Sequence, residues 1–240
     1  MLRVADLTVP GRLSGVSVDL RPGQVTAIVG PNAAGKSTLL SALTGLIAGD
    51  VALDDRPLAA MDARTRALAI GLLPQGGDVA WNLSVTTLVR LGRLPHRTGR
   101  DADDRAVAKA LADMGLDHLA GRPIGTLSGG ERARALLARV LAGQPDWVLA
   151  DEPLASLDLA QARMLLVHFR RLAGVGKGVA LVLHDLAQAM NHADHIVVLH
   201  QGCVAAAGPP DQALDPAIIA RVWGVEARWL GDDGARALVW

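Results

Sequence analysis

The 240-residue chain has few aromatic residues: five Trp, one Phe and no Tyr. Proteins that bind single-stranded nucleic acids commonly stack the bases on aromatic side chains, and this chain offers few such surfaces. Lys and Arg together number 24, as do Asp and Glu, so there is no net charge to attract a polyanion. The composition therefore argues against a nucleic-acid partner.

Cysteine and long apolar runs are also scarce. Cys203 is the only cysteine, which excludes a disulfide within the chain, and in a predicted strand we expect it to be a small buried apolar residue. Strongly apolar stretches are short, as at 179–183, and none approaches the ~20 residues of a membrane-spanning helix. The first ten residues lack the layout of a signal peptide. We expect a single domain that reaches a membrane only through a partner.

Residues 30–38 read GPNAAGKST, that is, Gly, four residues, then Gly-Lys-Ser. A short β-branched stretch precedes them at 25–29, and a stretch that can continue as a helix follows. This is the strand–loop–helix context of a phosphate-binding loop, whose amides and helix N-terminus face a phosphate. We expect Lys36 to reach the β- and γ-phosphates and the Ser37 hydroxyl to lie on Mg²⁺. The residues predicted to bind the nucleotide here are Gly30, Pro31, Asn32, Ala33, Ala34, Gly35, Lys36, Ser37 and Thr38.

Strand-like and helix-like segments alternate along most of the chain. The predicted strands lie at 3–9, 14–20, 25–29, 51–53, 69–73, 147–150, 179–183, 195–199 and 203–207, with a final hairpin at 226–230 and 235–239. The predicted helices lie at 36–44, 159–172, 186–191 and 211–223, the last restarting at Pro216. From 84 to 143 helical patterns dominate, at 84–91, 101–114 and 130–142. Buried-type strands alternating with helices predict an α/β core with a mainly parallel sheet, and the helical stretch predicts an insertion.

Two further segments carry candidate chemistry. Residues 147–152 read WVLADE, a strand that delivers two carboxylates to the edge of the sheet where ligands bind. We expect Asp151 to hold Mg²⁺ and Glu152 to polarise the attacking water; the alternative is an acidic turn after a buried strand. Residues 127–131 read LSGGE, which is either an ordinary capped helix start or a second phosphate-binding helix N-terminus.

Taken in order, GPNAAGKS, LSGGE and WVLADE resemble the ATP-binding subunit of an ABC transporter, and LSGGE is that family's signature. The resemblance covers nearly the whole chain. It implies a single domain with a P-loop NTPase (RecA-like) core, an N-terminal antiparallel β portion and an α-helical subdomain. On this basis residues 1–77 and 144–240 form the core, and residues 78–143 form the helical subdomain with the signature.

The resemblance also implies roles for individual residues. Gln75 would touch Mg²⁺ and the attacking water, His184 would contact the γ-phosphate, and Asp158, after Ser156-Leu157, would communicate across a dimer. Two copies would pack head to tail, each ATP lying between the Lys36 loop of one copy and the signature of the other. The signature residues assigned to the nucleotide are Ser128, Gly129 and Gly130.

The chain departs from the family pattern at two places. The family's phosphate loop usually has Gly where this chain has Ala33; a methyl group is tolerable there if the residue keeps a negative φ, and we expect binding to survive. The family usually stacks adenine on an aromatic residue near the first strands, but residues 7–13 contain none. Our hypothesis is that the guanidinium of Arg12 takes that place.

Residues 88–96 read LVRLGRLPH and resemble the corresponding segment in importers of iron–siderophore complexes, haem and cobalamin. The alternative is that Leu88, Leu91 and Leu94 are subdomain core while Arg90 and Arg93 are solvated. We therefore expect an ATPase that energises metal-chelate uptake, working with membrane permease subunits and, indirectly, a periplasmic or extracellular binding protein, at the cytoplasmic face of the membrane. Other transporters (an anion importer such as one for molybdate, or an exporter), a non-transport ABC protein and a small-molecule kinase remain alternatives.

Overall fold

The structure is a computed structural model, and it describes residues 1–76, 82–155 and 157–240. Alternation of apolar and polar residues at the N-terminus produces strands with one buried face: β1 (Leu2–Val9) shows it, and so does β2 (Leu13–Leu20). With β4 (Val51–Leu53) and β5 (Arg56–Pro57) they form an antiparallel sheet in the order β2-β1-β4-β5. The predicted antiparallel β portion is therefore present.

The second sheet has six strands in the order β10-β9-β3-β8-β7-β6. Its pairings are parallel except for β10 with β9, and β3, β7 and β8 are buried along their whole length. Such continuous apolar strands fit a parallel sheet that is covered on both faces. The strands are β3 (Val25–Val29), β6 (Ile70–Leu73), β7 (Trp147–Asp151), β8 (Gly178–Val182), β9 (His195–His200) and β10 (Cys203–Gly208).

Side chains from the parallel sheet enter two hydrophobic cores, one on each face. Along β3, Ala27 belongs to the core shared with the helical segment, and Ile28 to the core shared with the antiparallel sheet. The helices outside the helical segment are α1 (Lys36–Leu43), α2 (Ala63–Ala69), α6 (Leu159–Gly174), α7 (Leu186–His192), α8 (Pro210–Ala213) and α9 (Pro216–Trp223). A hairpin of β11 (Arg228–Leu230) and β12 (Ala237–Val239) follows them.

The helical segment contains α3 (Val85–Arg90), α4 (Arg100–Asp113) and α5 (Gly129–Ala142). Short 3₁₀ turns connect them at Leu91–Arg93, Asp117–Leu119 and Ile124–Thr126; another lies earlier at Leu58–Ala60. Buried residues such as Leu88, Val107 and Leu137 join the three helices in one core. Within the described ranges, every helix is too short or too polar to cross a lipid bilayer.

The predicted fold class is confirmed: a mainly parallel sheet with helices, an antiparallel part and a helical segment. The strand predicted at 69–73 starts one residue later, because α2 precedes it, and α2 itself was not predicted. The expectation of a buried Cys203 is wrong, because its side chain is exposed at the start of the edge strand β10. The loop predicted at 76–78 lies partly outside the described residues, and Ser156 lies wholly outside them.

The alternative for residues 88–96 is also wrong in three positions. Leu88 is buried, but Leu91 and Leu94 are exposed, by 38% and 76%. Arg93 is only 5% exposed, whereas Arg90 is at the surface and pairs with Asp104. The leucines of this segment are therefore not all core residues, and one of its arginines is.

Candidate nucleotide site

The phosphate loop connects β3 to α1 and buries the head of Lys36. Its Nζ donates to the carbonyl oxygens of Gly30 and Pro31, each at 2.9 Å. Burial lowers the pKa of Lys36, and the carboxylates of Glu152 and Asp151 oppose that shift. A buried ammonium that donates to two neutral carbonyls favours an anionic partner, and a phosphate would supply one.

Three residues in the loop have positive φ: Gly30, Ala33 and Gly35. Gly35, which precedes α1, has φ 100°, and a Cβ there would lie 2.4 Å from Leu13 Cδ2, so this position requires glycine. Ala33 has φ 61°, so the condition that it keep a negative φ is not met. The methyl group costs about 1–2 kcal/mol in that conformation, and the surrounding loop must offset this cost.

Asp151, at the end of β7, lies beside the phosphate loop. Burial raises the pKa of Asp151, against a hydrogen bond from Ser37 that lowers it. Within the described chain, Asp151 Oδ1 is buried without a hydrogen-bond partner. An unpaired buried carboxylate oxygen beside a hydroxyl is a suitable ligand pair for a hard cation.

The three residues predicted to be catalytic meet at one point. Gln75 Nε2 donates to Glu152 Oε2 at 2.7 Å, and His184 Nε2 lies 2.5 Å from Glu152 Oε1. They follow β6, β7 and β8, which are neighbours in the sheet, so the carboxyl ends of three strands bring them together. Glu152 itself has φ 50°, a strained conformation of a kind that clusters at functional sites.

A cavity of about 370 Å³ surrounds the phosphate loop. Arg12 lies in its wall. A contact between Arg12 and adenine stays a prediction. The other residues that line the cavity are Asn32, Ala33, Ala34, Gly35, Lys36, Ser37, Thr38, Glu152 and His184.

The signature begins α5 with a reciprocal cap. Ser128 N donates to Glu131 Oε2 at 2.8 Å, and Glu131 N donates to Ser128 Oγ at 3.2 Å. Ser128 and Gly129 are exposed and Gly130 is buried. Among the described residues, none of these three signature residues lines the phosphate-loop cavity. Gly129 borders a separate cleft of about 400 Å³, which Gln75 and Glu152 also line.

Asp158 lies at the N-terminus of α6, where its carboxylate accepts a hydrogen bond from the amide of Gln161 at 2.8 Å. It does not line the phosphate-loop cavity either. Sequence reasoning missed Gln161, whose side chain covers Gly130 so closely that a Cβ on Gly130 would lie 1.9 Å from Gln161 Oε1. The sequence carries no signal for this contact, because it depends on how α5 and α6 meet.

The geometry defines a class of protein before any comparison is made. A phosphate loop with a buried lysine, an acidic residue at the end of a neighbouring strand and a mainly parallel sheet characterise a P-loop nucleoside triphosphatase. Residues 13–155, more than half of the chain, match the family model described as ABC transporter. The chain belongs to that family, as an ATP-binding and ATP-hydrolysing subunit.

Relatives and solved structures agree with the family. A hemin import ATP-binding protein of Rhodococcus jostii is 46% identical over 217 residues, covering 88% of this chain and 74% of the relative. A protein of Myxococcus xanthus with the same name is 42% identical over 240 residues, covering 93% and 90%. An inward-facing transporter described as of metal-chelate type superimposes with a TM-score of 0.84 at 25% identity, covering 99% and 95%. Clostridium perfringens cbiO1, part of the ABC transporter complex cbiONQ, gives 0.81 at 26%, covering 92% of each chain.

Proposed function

We propose that this chain hydrolyses ATP to drive haem uptake through a membrane permease. The observation that carries the proposal is the meeting of Gln75, Glu152 and His184 beside Lys36, in a chain whose relatives are named for hemin import. Iron–siderophore complexes and cobalamin are the competing cargoes. The solved structure described as of metal-chelate type does not distinguish them from haem, because its description names no particular chelate.

The chemistry needs positioning and charge neutralisation more than covalent catalysis. Glu152 would orient and polarise the attacking water, with Gln75 holding one carboxylate oxygen and His184 the other. When ATP enters, His184 would turn from Glu152 towards the γ-phosphate. Lys36 would exchange its two carbonyl partners for β- and γ-phosphate oxygens.

A magnesium ion fits the residues present. Mg²⁺ is usually bound by one or two protein oxygen ligands together with substrate phosphates and water. The Ser37 hydroxyl and the unpaired Oδ1 of Asp151 would supply protein ligands, with Gln75 at the same edge of the sheet. The ion would neutralise phosphate charge; the chain's own residues do the positioning.

The signature supports a site completed by a second copy. Its exposed start, Ser128 and Gly129, lies outside the cavity of Lys36, so a single copy offers two separate phosphate-binding elements. A two-fold dimer would bring each element against its counterpart and hold two ATP molecules. Asp158 would then lie where the copies meet.

The same proposal extends to the partners and the subdomain. Residues 78–143 would form the helical subdomain, and residues 1–77 and 144–240 would form the core. Permease subunits, with a substrate-binding protein outside the membrane, would hold the ATPase dimer at the cytoplasmic face. Arg12 would contact adenine.

The catalytic test is Glu152→Gln, which keeps the shape of the side chain and removes its charge. We expect ATP binding to persist, ATP turnover to fall by about 10²-fold or more, and an ATP-dependent dimer to accumulate. Glu226→Gln, at an exposed carboxylate that does not line the phosphate-loop cavity, is the matched control and should behave like the unchanged protein. Normal turnover by Glu152→Gln would contradict the assignment of the water-activating residue.

Identifying the transported compound requires an assay on the complete transporter. The ATPase would be reconstituted with its permease in vesicles, and ATP-driven uptake of haem, an iron–siderophore complex and cobalamin would be compared. The proposal expects uptake of haem alone. Uptake of either other compound without haem would retain the ATPase and reject haem as the cargo.

A further inference from the structure

Residues 91–96, which we name the α5 clamp, hold the C-terminal end of α5. Arg93 is buried there and its Nη1 donates to the carbonyl oxygen of Ala142 at 2.9 Å and to Gln144 Oε1 at 3.1 Å. Its remaining nitrogens bind Asp103 Oδ1 at 2.8 Å and Thr98 Oγ1 at 3.2 Å. One guanidinium therefore ties the end of α5 to the start of α4.

Two other residues of the clamp touch the same helix end. His96 Nε2 lies 2.8 Å from the carbonyl oxygen of Gly143. Gly92 approaches so closely that a Cβ would lie 1.9 Å from the carbonyl oxygen of Arg139. The last carbonyls of a helix have no partner within the helix and carry partial negative charge, so a buried guanidinium is well suited to them.

The position of these contacts gives them a consequence at the other end of the helix. α5 has 14 residues and is about 20 Å long. It begins immediately after Ser128, whose capping bonds with Glu131 fix the signature to the helix. Because α5 is a stiff element, fixing its C-terminal end also fixes the direction in which its N-terminal end points.

We propose that Arg93 is a positioning residue for the signature: through α5 it sets where Ser128–Gly130 meet the ATP held by a second copy. The inference rests on the dimer of the proposed function. It predicts that loss of the clamp weakens ATP-driven dimerisation while each single copy still binds ATP normally, since the Lys36 loop lies on other elements.

The test places Arg93→Gln and Arg93→Lys in the Glu152→Gln background. ATP affinity is measured by titration at protein concentrations where the protein is monomeric, and dimerisation by sedimentation at increasing concentrations with ATP. We expect the ATP affinity of the monomer to stay within about twofold and dimerisation to weaken by about tenfold with Gln. Lys should give a smaller loss, because it keeps the charge but cannot make the forked contacts.

A pair of glycine variants separates orientation from general destabilisation. Gly92→Ala should press on α5 and weaken dimerisation, while Gly121→Ala, where a Cβ meets no atom within 4 Å, should leave it unchanged. If the Arg93 variants do not fold, His96→Ala takes their place, with the same split expected. Unchanged dimerisation in a folded clamp variant, or an equal loss of monomer ATP affinity, would overturn the inference.

The same experiment separates the inference from the proposed function. If Glu152→Gln with an intact clamp remains monomeric with ATP, the dimer of the proposed function fails and the inference falls with it. If that protein dimerises and the Arg93→Gln form dimerises equally well, only the role of Arg93 is rejected.

Discussion

Gly130→Ala tests whether the signature serves the chain's own fold or a nucleotide on a second copy. Within one chain, the new methyl group would meet the amide of Gln161 at 1.9 Å, and ordinary contact begins at 3.4 Å. The amide would thus have to withdraw by about 1.5 Å. Because it is the end of a flexible, half-buried side chain, the cost lies near the lower end of the 1–3 kcal/mol typical of overpacking, about 1 kcal/mol.

Replacing Gly by Ala within a helix also gains up to about 1 kcal/mol of helix propensity. The two effects nearly cancel, so urea unfolding should show a change in the free energy of unfolding within about 1 kcal/mol. Monomer ATP affinity should likewise remain unchanged. If the partner's γ-phosphate approaches the amides of Ser128–Gly130, however, the methyl group obstructs it, and the ATPase rate should fall by more than tenfold.

The decisive measurement is the ATPase rate of Gly130→Ala combined with Gln161→Ala. The second change removes the obstruction within the chain and leaves any obstruction between copies. We expect the double variant to stay as inactive as Gly130→Ala, with Gln161→Ala alone close to the unchanged protein. Recovery of activity in the double variant would refute the reasoning, since Gly130 would then be needed only for packing against Gln161.

Three other perturbations have defined outcomes. Ala33→Gly relieves about 1–2 kcal/mol of backbone strain and loses about 0.4–1 kcal/mol through the unfolded chain. Urea unfolding should therefore show a gain of up to about 1.5 kcal/mol, and a loss would contradict the left-handed geometry. Asn191→Ala removes two hydrogen bonds to the backbone of Arg236, worth about 1 kcal/mol each. Hydrogen exchange should then show faster opening of the C-terminal hairpin while α7 stays protected. Unchanged exchange would contradict the anchoring role of Asn191. Burial lowers the pKa of His168, so as the pH falls the unfolded chain takes up this proton before the folded chain does. The free energy of unfolding should therefore fall as the pH is lowered through about 6.5. His168→Gln should make that fall shallower, and an identical pH slope would oppose the assignment.

The sequence was most informative where a backbone motif and a strand end coincide. The spacing of GPNAAGKS predicted a loop before a helix that begins at Lys36. WVLADE predicted a strand at 147–150 with two carboxylates at its end, and the strand runs one residue further, to Asp151. Glu152 and His184 could be placed at one edge because the carboxyl ends of parallel strands share it. That Gln75 joins them depends on β6 lying next to β7, a strand order that no local pattern records.

The failures have different physical causes, and that at residues 91–94 depends on a neighbour that is distant in sequence. Leucines at 91 and 94 fit a helical core pattern, but the α5 clamp turns Arg93 inward to meet the carbonyl groups of α5. Ala33 has a conformation that glycine prefers because the loop imposes it. The missed helix α2 is different: Asp62 accepts a hydrogen bond from the amide of Thr65, a local capping signal that the sequence did contain.

The exposed Cys203 offers a practical reporter. It is the only thiol in the chain, so a fluorophore or spin label attached to it marks one known position without any engineered cysteine. The preceding turn rests against the wall of the nucleotide cavity: Ser14 N donates to Gly202 O at 2.8 Å, and a Cβ on Gly202 would lie 2.8 Å from the carbonyl oxygen of Arg12. A label at Cys203 would therefore respond to nucleotide at the Arg12 side of its own copy, and in a dimer the separation of the two labels would follow opening and closing during turnover.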